Sequence, residues 1–247
     1  MSHRVVTHEE WLKARTELLA AEKEFTRQRD AVTRRRMAMP WERVEKSYRF
    51  EGPDGPLSLG DLFDGRSQLI VYHFMFAPDW KEGCKSCSFW ADNFNGITIH
   101  LNHRDATFTA ISRAPLAKLN AYKQRMGWSF PWVSSGGSDF NFDYHASFAP
   151  EQIAQGEAYH NYEVRPIDVS DEVGVSVFCK NEKGELFHTY SCYRRGIDLL
   201  NGAYNYLDLV PKGRDEKGLR YPMEWLHRHD QYEAQNASSR SGRKEGA

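Results

Sequence analysis

The 247 residues are 40% hydrophobic and 27% charged, enough apolar content for one main domain with extensions. The longest apolar stretch, residues 69–76, contains His73 and falls far short of the ~20 residues a bilayer helix needs, so no membrane partner is expected. Against 33 Lys and Arg stand 34 Asp and Glu, a formal net charge of −1, which offers no field for collecting nucleic acid.

Thr7-His8-Glu9-Glu10 has the pattern of a capping box, in which Thr7 accepts from an early helical amide and Glu10 reaches back to the cap. Beyond it Trp11, Leu18, Phe25 and Val32 recur every seven positions, flanked by Leu12, Ala14, Leu19 and Ala21. This spacing predicts one long amphipathic helix ending near Met37. The arm, residues 1–45, either packs on its own domain or zips against a second copy to give a homo-oligomer. Arg34-Arg35-Arg36 reads as a solvated helix end whose cations suit the dipole. Pro40 stops the helix, and an extended connector leads to the Gly52-Pro53-Asp54-Gly55-Pro56 turn.

Residues 67–76 are apolar on both faces, as a central strand covered on each side would be. Cys84 then opens a helix that sets Cys87, Trp90 and Phe94 on one face and closes at Gly96. A strand over 106–112 precedes a helix starting at Pro115, with Leu116, Leu119, Tyr122 and Met126 inward. A short strand at 130–133, a Ser/Gly-rich loop at 134–139 and an aromatic insertion at 140–170 follow. Residues 175–179 and 185–190 read as a hairpin, and a closing helix over 195–209 turns Leu199, Leu200, Ala203, Tyr204 and Leu207 inward. The main domain is thus expected over 46–212, with 213–247 a polar tail; residues 234–247 are too poor in apolar side chains to fold alone.

Four cysteines do not make a secreted disulfide scaffold, and the first residues run into charge without an apolar leader, so a reducing, cytoplasmic compartment is expected. There, Cys84-Lys85-Ser86-Cys87 signals redox chemistry or half of a zinc site. Two intervening residues on a first helical turn let the sulfurs approach within disulfide distance. Cys84, at the helix start, meets free amides and the positive dipole end that stabilise a thiolate, while Cys87 lies deeper. Cys84 is therefore the expected nucleophile and Cys87 the resolving thiol. Lys85 adds positive potential, and Asp79 and Glu82 oppose it.

Taken in order, these elements are similar to the thioredoxin-like fold: an α/β fold with a central mixed sheet flanked by helices, here with an N-terminal helical extension. More closely, DGRSQLIVYHFMFAPDWKEGCKSCSFWADNF at 64–94, SRAPLAKL at 112–119 and GWSFPWVSS at 127–135 resemble a bacterial family, the thioredoxin-like domain of unknown function 899. Its members are labelled predicted dithiol-disulfide oxidoreductases. The resemblance implies thiol-disulfide exchange by Cys84 and Cys87 with a protein or small-molecule disulfide or thiol, and no cofactor. Where thioredoxins carry a proline between the cysteines this chain has Lys85-Ser86, and their cis-proline position falls at Gly174 or Val175. Trp80 stands where such sites often carry an aromatic lid. His73 reads as a core histidine or a proton shuttle.

Other readings of the same residues are a non-catalytic redox sensor and a thiol peroxidase acting through a sulfenic acid at Cys84. Against the strict peroxidase pattern, Lys81 lies three residues before Cys84 where a Thr or Ser is usual. The spacing Cys84, Cys87, His100, His103 approaches that of a zinc site, which makes these four an alternative metal set. Pairing Cys179 with Leu186 in the hairpin puts Cys192 about 20 Å from Cys179, too far to bridge. His227, His229 and Asp230 form either a surface metal or proton-transfer cluster or part of a solvated tail.

Overall fold

The Thr7 capping box starts helix α1, His8–Met37. Thr7 Oγ1 accepts from the Glu10 amide at 3.3 Å, and the Glu10 carboxylate accepts from the Thr7 amide at 3.1 Å. No residue of α1 is buried, and Trp11, Leu18, Phe25 and Val32 are each at least half exposed. In this computed structural model residues 3–232 are described; residues 234–247 of the expected tail lie outside them. The chain divides into two units, Met1–Trp41 and Glu42–Ala247.

In the second unit the connector from Trp41 to Phe50 carries the two-residue β1 (Glu42–Arg43) and runs into β2 (Arg49–Gly52), which pairs with β3 (Gly55–Ser58) about the Pro53-Asp54 turn. The central strand β4 (Gln68–His73) leads to α2 (Lys85–Ala91), a short α3 (Thr98–Asn102), β5 (Ala106–Ser112), α4 (Leu116–Arg125) and β6 (Trp132–Ser134). The aromatic insertion folds as α5 (Phe140–Asp143), α6 (Pro150–Gln155) and a separate hairpin of β7 (Glu157–His160) with β8 (Glu163–Pro166). Then come β9 (Gly174–Lys180) and β10 (Leu186–Tyr193), with Cys179 opposite Phe187, one residue from the expected partner.

The main sheet has the order β1-β10-β9-β4-β5-β6-β2-β3. Strands β4, β5 and β6 are parallel, and β9 and β10 return antiparallel beside β4. A parallel βαβ unit followed by an antiparallel hairpin on the other edge of its first strand is the thioredoxin-like arrangement. Side chains of β4 alternate between two cores, because successive residues of a strand point to opposite faces. Ile70 and Tyr72 join Cys87, Trp90, Phe94, Phe108 and Trp132 on one face. Leu69 and Val71 join Phe50, Phe63, Phe140 and Phe178 on the other.

The closing helix expected over 195–209 is broken. A 3-10 helix, Arg194–Leu200, ends at Asn201, whose side chain accepts from the Tyr204 amide at 3.0 Å and so caps a new helix, α7 (Gly202–Leu207). The break rotates Leu199 and Leu200 outward, to 58% and 39% exposure, and Ile197 fills the inward place.

Candidate active site

Strand β4 delivers the chain to a loop whose backbone pins the cysteine pair. The Cys84 amide donates to the Met75 carbonyl at 3.1 Å, and the Met75 amide donates to Cys87 Sγ at 3.4 Å. Gly83 precedes them because nothing larger fits. A Cβ there would stand 2.7 Å from Phe74 and 2.9 Å from Tyr122.

Cys84 is the N-cap residue of α2 and is partly exposed, whereas Cys87 is 1% exposed. The Cys87 thiol, followed by the backbone amides of Cys87 and Ser86, draws the Cys84 pKa down from 9.0 to about 7. Burial, then the adjoining Cys84 sulfur, pushes the Cys87 thiol well up. The two sulfurs are thus differentiated by one turn of helix. Neither forms a disulfide, and neither do Cys179 and Cys192. Iodoacetamide should therefore alkylate Cys84 with a rate that rises through a midpoint near pH 7, while Cys179, whose pKa burial raises, follows only at higher pH. Peptide mapping across a pH series checks both.

A directional relay holds the N-cap. Arg228 Nε donates to the Tyr122 hydroxyl at 2.7 Å, and Ser88 Oγ donates to the Cys84 carbonyl at 2.9 Å. The Tyr122 and Ser88 hydroxyls are 2.9 Å apart, so Tyr122 is left to donate to Ser88. The same guanidinium donates from Nη2 to the Gly83 carbonyl at 2.7 Å and pairs with Glu82 at 2.9 Å. Nothing local in the sequence ties Tyr122 or Arg228 to the cysteines, and these are the residues that motif reading missed.

The remaining candidates separate. Lys85 Nζ reaches the Glu224 carbonyl at 2.9 Å and is not among the groups that lower the Cys84 pKa. Ser86 is: its amide and its side chain both favour the Cys84 thiolate. Trp80 lies half-buried against the aromatic core that also receives Cys84. Gly174 and Val175 sit inside β9, opposite His73 and Tyr72, and the loop residues before them are Glu172 and Val173. His73 points to the face opposite Cys87, where it stacks on Phe140 at 5.6 Å and meets Ser176 Oγ at 2.9 Å. Burial drives its pKa to about 3, so it is a neutral core residue.

The alternative zinc set does not assemble. The cysteines stand at the start of α2, whereas His100 and His103 lie exposed beyond its far end, on α3 and the turn after it. Among the described residues no three His, Cys, Asp or Glu side chains gather as a metal-binding group. His229 instead pairs with Asp92 at 2.7 Å, Asp230 with Arg125 at 2.7 Å, and His227 packs edge-on to Tyr232.

Tyr72 is fully buried with its hydroxyl at the Cys87 thiol. Burial raises its pKa strongly, and among its neighbours the Cys87 thiol acts on it most.

Among the described residues no helix is long and apolar enough to cross a membrane. A family described as "Bacterial protein of unknown function (DUF899)" matches residues 1–232. No curated protein matches. Among solved structures, a peroxiredoxin Q of Xanthomonas campestris is similar at 13% identity and a TM-score of 0.46, over 68% of this chain and 98% of that one. The peroxidoxin BcpB of Mycobacterium tuberculosis is similar at 12% identity and a TM-score of 0.42, over 66% of this chain and 93% of that one.

Proposed function

The chain belongs to the bacterial protein family of unknown function DUF899, and from the geometry of its cysteine pair we propose that it is a thiol-disulfide oxidoreductase. The observation that carries this reading is the contrast between the two thiols: Cys84 is partly exposed with its pKa near 7, and Cys87 is buried with its pKa raised. Exchange needs such a division, because the attacking sulfur must be thiolate at ambient pH while the resolving sulfur stays protonated until the mixed disulfide forms.

In the forward direction the Cys84 thiolate attacks one sulfur of a disulfide, and the other sulfur leaves as a thiolate that takes a proton from water. Once Cys84 is bonded to substrate its negative charge is gone, and with it one of the influences that keep Cys87 protonated. Cys87 then attacks Cys84 Sγ and releases the second thiol. The Arg228, Tyr122 and Ser88 relay holds the Cys84 carbonyl at the start of α2.

The test is a redox titration of the intact protein in buffers of graded dithiothreitol to oxidised dithiothreitol ratio. Cys84 and Cys87 should vanish together from alkylation maps at one potential, returning on reduction, while Cys179 and Cys192 stay alkylatable. A Cys84 that remains free at the oxidising end overturns the assignment.

A further inference from the structure

The exchange reaction makes no use of helix α1, whose apolar residues follow a rule of their own. Trp11, Leu18, Phe25 and Val32 are exposed and stand at a strict interval of seven. On a straight α-helix a seven-residue repeat drifts by about 20° per heptad. A repeat held from Trp11 to Val32 therefore marks a seam that winds about another helix, where a face laid on a flat surface would follow the 3.6-residue turn. With these four at heptad position a, position d holds Ala14, Ala21 and Gln28, and the seam ends where Arg35 takes the next d. It runs about 32 Å. Leu12 and Leu19, one residue on, point about 100° away and lie outside it.

Charge selects the partner. The flank at g holds Glu10, Glu17 and Glu24, and the flank at e holds Arg15, Glu22, Arg29 and Arg36. In a parallel pair, g of one helix faces e of the next heptad in the other, so each acidic flank lies along a mainly basic one. Glu10 then meets the partner's Arg15, and Glu24 the partner's Arg29, each twice by symmetry. Glu17 against the partner's Glu22 is the like-charged step. An antiparallel pair sets the acidic flank against itself. Within one chain these groups make exposed pairs, Arg15 with Glu22 at 2.8 Å and Arg27 with Glu24 at 2.7 Å, which exchange at little cost.

We propose that α1 is a dimerisation arm whose occupant is α1 of a second copy of this chain, wound parallel to it as a two-stranded coiled coil. The proposal stands apart from the reading of Cys84 and Cys87. A second copy supplies the same period opposite, and the two flanks of α1 complement each other under a two-fold axis. Each residue at a faces its own counterpart, and the alanines at d let the backbones approach. Gln28 meets the partner's Gln28 across the axis and fixes the register, as a single polar seam position does.

The test is sedimentation velocity of the full chain and its variants at micromolar concentration. The parent should sediment as a dimer. Leu18→Glu, in the seam, should raise the dimer dissociation constant at least about a hundredfold, because association buries a carboxylate from each copy. Leu19→Glu, next to it but outside the seam, should leave that constant within about twofold. Both positions are exposed in the single chain, so neither change disturbs its fold. Glu24→Arg opposes like charges at the partner's Arg29 and should weaken the dimer about tenfold; adding Arg29→Glu should restore it. A parent that sediments as a monomer overturns the proposal, whether the arm packs on its own domain or takes a different protein. A dimer indifferent to Leu18→Glu, or equally sensitive to Leu19→Glu, overturns it too. If Glu24→Arg is without effect, or Arg29→Glu does not rescue it, the parallel pairing falls.

Discussion

Replacing Cys84 by serine should remove disulfide reduction entirely, whereas replacing Cys87 by serine should leave the first step and stop the second. The reason is position more than acidity. Lowering a thiol pKa from 9.0 to about 7 raises its thiolate fraction at neutral pH about fiftyfold, but costs about tenfold in intrinsic nucleophilicity. The net gain is only about fivefold. What serine cannot replace is a partly exposed sulfur held at a helix N-cap, since its hydroxyl does not ionise near neutrality and forms no disulfide. Cys87, 1% exposed and with its pKa raised, cannot take over the attack. In Cys87→Ser, Cys84 still attacks, and the mixed disulfide has no internal route to resolution. Mass spectrometry of each variant after one equivalent of substrate reads the result directly. The adduct should be stoichiometric on Cys84 in Cys87→Ser and absent in Cys84→Ser. The reverse pattern exchanges the two roles, and an adduct in neither variant removes the pair from chemistry.

The legible parts of this molecule are those written in local periodicity. The capping box at Thr7 and the heptads of α1 need only the next turn of helix to be read. Strand β4 was visible because both its faces are apolar, and both faces do carry a core. The cysteine pair falls on the N-cap and the first turn of α2, as its local sequence reads. What stayed hidden depends on partners far along the chain. Arg228 reaches Gly83 across 145 positions, and Tyr122 reaches Ser88 across 34, contacts that no window of sequence contains. Gly83 carries no turn signature and is fixed by the rings of Phe74 and Tyr122. The closing helix failed for the opposite reason. Its apolar spacing favoured continuity, but the local Asn201 cap competed successfully and redirected Leu199 to solvent. His73 shows the same limit. Its place in β4 was evident, but which face it took depended on strand phase relative to Tyr72.

That phase makes His73 an acid-sensitive point of the fold. Its ring is 1% exposed, Nε2 meets Ser176 Oγ, and Nδ1 has no partner. Burial holds its folded pKa at about 3, against 6.5 in an accessible chain. Below pH 6.5 the unfolded chain therefore binds a proton that the folded one refuses, and stability falls as pH drops. Integrated over that gap, the loss is roughly 2 kcal/mol by pH 5 and roughly 4 kcal/mol by pH 3. His145 and His160, whose pKa values burial also lowers, act in the same direction and must be held constant. His73→Gln does this: its amide can still bond Ser176 but carries no titrating proton. Urea unfolding at pH 7 and pH 5 should show the parent protein losing about 2 kcal/mol more than His73→Gln over that interval, whatever their relative stabilities at pH 7. Parallel losses in the two proteins would mean that His73 is protonated as readily folded as unfolded, which is incompatible with a ring sealed between Phe140, Tyr144 and Ser176.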